Sequence, residues 1–232
     1  MTRVLRAGDR VMTFIPPADG DDSDGVERPT EEEVQAALEG VPDELSWEWA
    51  APRLIPLFER GYTEGVTGDP MINTPTNLGV GIGFGIDFGP AFGRVTRSMA
   101  QRWEASVEQI EHAAFAHLAE VAAAVTRADL QTVVHQGHFF RALGVPPGWA
   151  SSVVLAGGDE LMRIFGTRDA IFTTPSRGAL LAFAPATPPG AIAEITVGLE
   201  QADPHPLLLD AFVLEDGELR WGGMETNLED AI

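Results

Sequence analysis

The stretch Leu78–Gly89 reads LGVGIGFGIDFG, and its spacing decides the fold. Val80, Ile82, Phe84, Ile86 and Phe88 fall on every second residue, with Gly81, Gly83, Gly85 and Asp87 between them. A period of two is that of a β-strand, with the bulky groups on one face and an almost bare backbone on the other. Glycine inside a strand forgoes packing and costs backbone entropy. Three in alternation therefore predict a close neighbour on the bare face: a helix, another backbone or a ligand. Helix packing is the preferred reading, and a groove for a peptide or an apolar ligand is the alternative. A dinucleotide fingerprint does not fit, because its glycines belong in the turn after a strand, leading into a helix.

Working outward, the flanking segments mix hairpins with single helices. Thr30 and Glu33 form a capping box that opens a helix ended by Gly40. Pro42–Arg60 reads as two short helices or one broken helix, interrupted by Pro52 and Pro56. Ser106 and Gln109 cap a long helix over Val107–Val125, with Ile110, Ala114, Leu118 and Val121 on its buried stripe. Leu130–Val134, Ser152–Leu155, Ala170–Thr174 and Ala179–Phe183 read as strands. Asp159–Phe165 and Pro189–Glu200 read as helices, the first capped by Asp159 and stopped by Gly166. Asp216-Gly217 turns a closing hairpin. The expected class is α+β: a mixed or antiparallel sheet with helices packed on it. The expected organisation is a helical, acidic region over 1–77, an α+β domain over 78–222 and a loose acidic tail over 223–232.

Composition excludes several chemistries. The chain has 232 residues and no cysteine, and all 15 of its basic residues are arginine. Thiol nucleophiles, cysteine-based metal sites, Schiff-base lysines and P-loops of the GxxxxGK[ST] type are thus absent. No cofactor is expected. A formal net charge of −20 repels phosphate backbones and anionic lipid, so nucleic acid and membrane surfaces are poor partners, whereas a basic protein or peptide is a suitable one. The N-terminus lacks the apolar core of a signal peptide, and no run of 18 apolar residues occurs, which predicts a cytoplasmic location. Oligomeric state cannot be read from these residues.

Scattered residues resemble an uncharacterised bacterial family, the YtpQ-like domain of unknown function. They are SVEQIEHAAFAHL over Ser106–Leu118, ASSVVL over Ala150–Leu155, Pro175-Ser176-Arg177 with Leu180-Leu181, and His205-Pro206-Leu207 with Phe212 and Asp216-Gly217. The resemblance spans roughly 78–221. It implies an α+β fold and brings neither an established activity nor catalytic residues. His117 stands where that family usually has Asn, and Gly178 replaces the acidic residue expected after the turn's Arg177.

Candidate sites are few. The Asp-rich loop Pro16–Pro29 lacks the leading ligand of an EF-hand and follows Pro16-Pro17 rather than a helix. His135 and His138 would share a face only on a helix; a strand or turn there is expected to point them apart and leave no metal site. Ser151 or Ser152 with His135 and Asp159 lacks a nucleophile elbow. His117 is expected to be a satisfied core histidine. Gly81, Gly83, Gly85 and Asp87 remain as a ligand-binding face, and Arg177 remains as a bidentate carboxylate binder. The leading functional expectation is a non-enzymatic interaction or regulatory protein. The alternatives are a hydrolase-type enzyme using His135 or His138 with a carboxylate, and a small-ligand binder at the glycine strand.

Overall fold

The computed structural model describes residues 3–7, 10–14, 30–59, 69–75, 81–89, 92–144, 148–202, 207 and 211–221. The acidic loop over 16–29 and the tail over 223–232 lie outside these residues. The chain is α+β and forms two compact units, one of residues 1–120 with 145–149, the other of 121–144 with 150–232.

In the first unit, β1 (Arg3–Ala7) and β2 (Arg10–Phe14) form an antiparallel hairpin. Helix α1 (Glu31–Glu39) begins with the expected capping box: Glu33 N–H donates to Thr30 Oγ1, and Thr30 N–H donates to Glu33. Helix α2 (Trp47–Ala50) continues into a 3-10 turn over Ala51–Arg53. The remainder of the expected broken helix is a strand, β3 (Leu54–Glu59), buried at every position. Continuous burial removes the alternation that marks a strand in sequence. Pro56 is tolerated because β3 is an edge strand, where its missing N–H breaks no ladder.

After β4 (Asn73–Pro75) comes β5 (Gly81–Asp87), the strand read from the glycine alternation. It pairs antiparallel with β3 along one edge; β4 and β6 (Phe92–Arg94) share the other. This pairing joins residues from both sides of position 77/78, and the described residues of 1–77 contain four strands besides α1 and α2, the first two at the β-prone runs Val4–Leu5 and Val11–Ile15. Helix α3 (Arg97–Arg102) precedes α4 (Val107–Ala124), within which the two units divide. The capping pair forms, with Gln109 N–H donating to Ser106 Oγ at 3.2 Å and Ser106 N–H to Gln109 Oε1 at 2.8 Å. Phe84 and Ile86 join Leu54, Val95, Trp103, Ile110 and Ala114 in one core. Helices α2, α3 and α4 therefore pack on the bulky face of β5.

The second unit is built on a six-stranded antiparallel sheet. β7 (Leu130–His135) and β8 (His138–Gly144) form a hairpin through Gln136 and Gly137, both at positive φ. The expected strand at Ser152–Leu155 is instead a 3-10 helix, Ala150–Ala156, with Ala150 to Val154 all buried. Packing on every side overrides the β preference of Val153 and Val154. Helix α5 (Gly158–Phe165) starts from Gly157 at φ 97° rather than from an Asp159 cap, and stops at left-handed Gly166. β9 (Ala170–Ser176), β10 (Ala179–Phe183), α6 (Pro189–Ala202), β11 (Phe212–Glu215) and β12 (Glu218–Trp221) complete the unit. The sheet order is β12-β11-β9-β10-β8-β7, with Phe140, Leu181 and Phe183 packed on Ile192 and Ile195 of α6. Among the described residues, no helix is long and apolar enough to cross a membrane.

Candidate functional site

The glycine face of β5 is filled by its own sheet. A Cβ placed on Gly81 would meet the Asn73 side chain, one on Gly83 would stand 2.6 Å from Glu59 Cγ, and one on Gly85 2.7 Å from Leu57 Cδ1. Leu57 pairs in register with Gly83, yet its methyl reaches Gly85; Glu59 pairs with Gly81, yet its Cγ reaches Gly83. The side chains lean diagonally along the sheet into the space that three missing Cβ atoms leave. Glu59 is thereby buried to 3% exposure, 3.5 Å from the Arg94 guanidinium. The close neighbours of Gly81, Gly83 and Gly85 are thus side chains of the same sheet, where helix packing was the preferred expectation.

Asp87, at the end of the same strand, does reach a cavity. A cleft of about 390 Å³ in the first unit is lined by Ala37, Gly40 and Val41 from the end of α1, Trp49 and Arg53, the turn Asp87-Phe88-Gly89, and His117 of α4. Gly89 takes φ +86°, and its N–H donates to Asp87 Oδ1 at 2.7 Å, so the turn holds the carboxyl at the cleft. Burial pushes the Asp87 carboxyl above the ordinary aspartate range; the Gly89 hydrogen bond and the His117 charge act against it. The Arg53 guanidinium carbon lies 4.2 Å from the Trp49 ring centroid, and its Nη1 donates to the Trp49 carbonyl at 2.7 Å. Trp49 and Phe88 stand 6.0 Å apart, centroid to centroid.

Among the described residues, Arg53 has no carboxylate partner, and Asp87 makes no ion pair with Arg53 or His117. His117 is not the satisfied core histidine expected: its Nδ1 is buried without a hydrogen-bond partner, 3.9 Å from Glu120 Oε2. The cleft thus offers a cation, a carboxyl, an imidazole and an aromatic wall, with no hydroxyl among its lining side chains. It can bind a small polar molecule with an apolar body; among the described residues, covalent nucleophilic chemistry would fall to Asp87 or His117.

The other sequence candidates lie in the second unit. His135 and His138 are direct partners across the β7–β8 hairpin, so they occupy one face of the sheet and are not pointed apart. The sequence reading missed this because the turn sits between them. Among the described residues, no group of three or more His, Asp or Glu could hold a metal. Ser151 and Ser152 are fully buried in the 3-10 helix, and Asp159 is exposed. Arg177 stands in the β9–β10 turn, where its carbonyl accepts from Ser151 N–H at 3.0 Å. It belongs to the other unit from Asp87. Comparison with protein-family models, with curated proteins and with solved structures found no significant match.

Proposed function

We propose that the protein is a non-enzymatic small-molecule binder, of the regulatory kind, whose cleft takes up a compact organic carboxylate. One observation carries this reading. The chain has 35 acidic residues against 15 arginines, yet Arg53 lies stacked on Trp49 in a cleft with no carboxylate partner among the described residues. A guanidinium fixed by an aromatic ring and one carbonyl keeps further N–H donors for a planar anion. Trp49 and Phe88 supply the apolar surface that would hold the rest of the ligand.

The reading is tested with 3-phenylpropanoate, a carboxylate on a short apolar body. It should raise the melting temperature of the wild type and quench tryptophan emission, and it should do neither in Arg53→Met. A wild type that responds no more than Arg53→Met would refute the reading. Acid–base chemistry by Asp87 is a second reading, favoured by its raised pKa. It requires turnover of a bound substrate, which binding alone does not.

A further inference from the structure

We infer that the ligand of this cleft is a zwitterion of the amino-acid class, with its carboxylate on Arg53 and its ammonium on Asp87. The inference rests on the carboxylate-binding reading above and adds a second recognition element to it. Asp87 and Arg53 line one cavity with opposite formal charges, and they form no ion pair with each other. Among the described residues neither forms an ion pair with another charged side chain, and the His117 imidazole is the charged neighbour that acts on Asp87. Two opposite charges held apart in one cleft leave both charge-assisted bonds open to a molecule that carries the complementary pair. A plain carboxylate would satisfy Arg53 and leave the half-buried Asp87 unmatched. A plain amine would do the reverse.

The immediate surroundings of Asp87 agree with this orientation. Its Oδ1 is held by the Gly89 N–H, which fixes the carboxyl rather than neutralising it. The groups that act on it are the Gly89 amide and the His117 imidazole, and Arg53 lines the same cleft. Trp49 precedes Arg53 and Phe88 follows Asp87, and both rings line the same cavity as the two charged groups, so an apolar side chain on the ligand has a surface to pack on. A cavity of about 390 Å³ is at the small end of ligand sites, the size for one amino acid rather than a peptide.

The test compares two probes that share a carbon skeleton. L-Phenylalanine carries the ammonium, and 3-phenylpropanoate lacks it. Both are titrated calorimetrically into the wild type, Asp87→Asn and Arg53→Met at near-neutral pH. Asparagine keeps an oxygen for the Gly89 N–H, so the turn is retained. The wild type should bind L-phenylalanine at least about tenfold more tightly than 3-phenylpropanoate, the scale of one charge-assisted hydrogen bond. Asp87→Asn should erase that gap by weakening L-phenylalanine while 3-phenylpropanoate binds at least as tightly as to the wild type, and Arg53→Met should weaken both probes. Equal affinity in the wild type, or a gap that survives Asp87→Asn, would overturn the zwitterion inference and leave the carboxylate reading standing. Binding of neither probe would overturn both.

Discussion

Gly83→Ala tests the account of the glycine strand most directly. The added Cβ would lie 2.6 Å from Glu59 Cγ, with Cδ at 3.6 Å and Cβ at 3.7 Å. Restoring a normal carbon–carbon separation requires Cγ to retreat by about 1 Å. Cγ sits in mid-chain, so the carboxylate must move with it, away from the Arg94 guanidinium 3.5 Å distant. The side chain is buried and has little room to yield. Overpacking of this kind costs about 1–3 kcal/mol. Replacing glycine restricts the unfolded chain and returns about 0.4–1 kcal/mol. The expected net loss is about 1–2 kcal/mol, which lowers a urea midpoint by roughly 0.5–1 M at typical slopes. Trp47, Trp49, Trp103 and Trp149 all belong to the first unit, and only Trp221 to the second, so indole emission follows the unit that carries the change. In the double variant E59A/G83A the loss should fall short of the sum of the singles by about 0.5 kcal/mol or more. A Gly83→Ala midpoint at or above the wild-type value would refute the claim that Glu59 fills the place of the missing Cβ.

Four further outcomes follow from named contacts. Gly198→Ala lies in α6 with open space around its added methyl, so it should stabilise by about 0.5–1 kcal/mol in a denaturant titration followed by circular dichroism. Asp87→Asn should stabilise the fold at neutral pH even as it removes ligand recognition. The folded carboxyl holds its proton more tightly than the unfolded one, so the native carboxylate loses stability as pH rises through that window; the gain should disappear below about pH 4 in midpoints measured across pH. Thr196 Oγ1 donates to Thr173 Oγ1 at 3.0 Å inside the second unit, so Thr196→Val should cost about 1–3 kcal/mol, and T173V/T196V less than the summed singles. Arg163 donates to the carbonyls of Val125 at 2.9 Å and Ala122 at 2.6 Å, at the end of α4, and Arg163→Ala should lower thermal stability by about 1 kcal/mol.

How far these features could be read from the sequence depended on how local their causes are. The strand over 81–87 was legible because its alternation is a property of adjacent residues, and the hairpin at Asp216-Gly217 followed from residues that accept positive φ. The helix caps at Thr30 and Ser106 were legible for the same reason. Leu54–Glu59 and Ala150–Ala156 were misread because burial on all sides erases periodicity, leaving two prolines and two valines to mislead. The glycine alternation correctly announced a close neighbour but not its kind, since the diagonal reach of Leu57 and Glu59 exists only once β3 and β5 are in register. The cleft was the least legible feature. Its lining comes from four separated segments, over 37–41, 49–53, 87–89 and 117, and none carries a motif. The stacking of Arg53 on Trp49 depends on the 3-10 turn that ends α2 just before β3 begins. One signal was present without a frame: an arginine beside a tryptophan-rich segment, in a chain whose acids outnumber its bases more than two to one. Arg94, Arg163 and Arg220 pair with carboxylates, whereas Arg53 is stacked on a ring inside a cleft, which leaves its remaining N–H donors for an external anion.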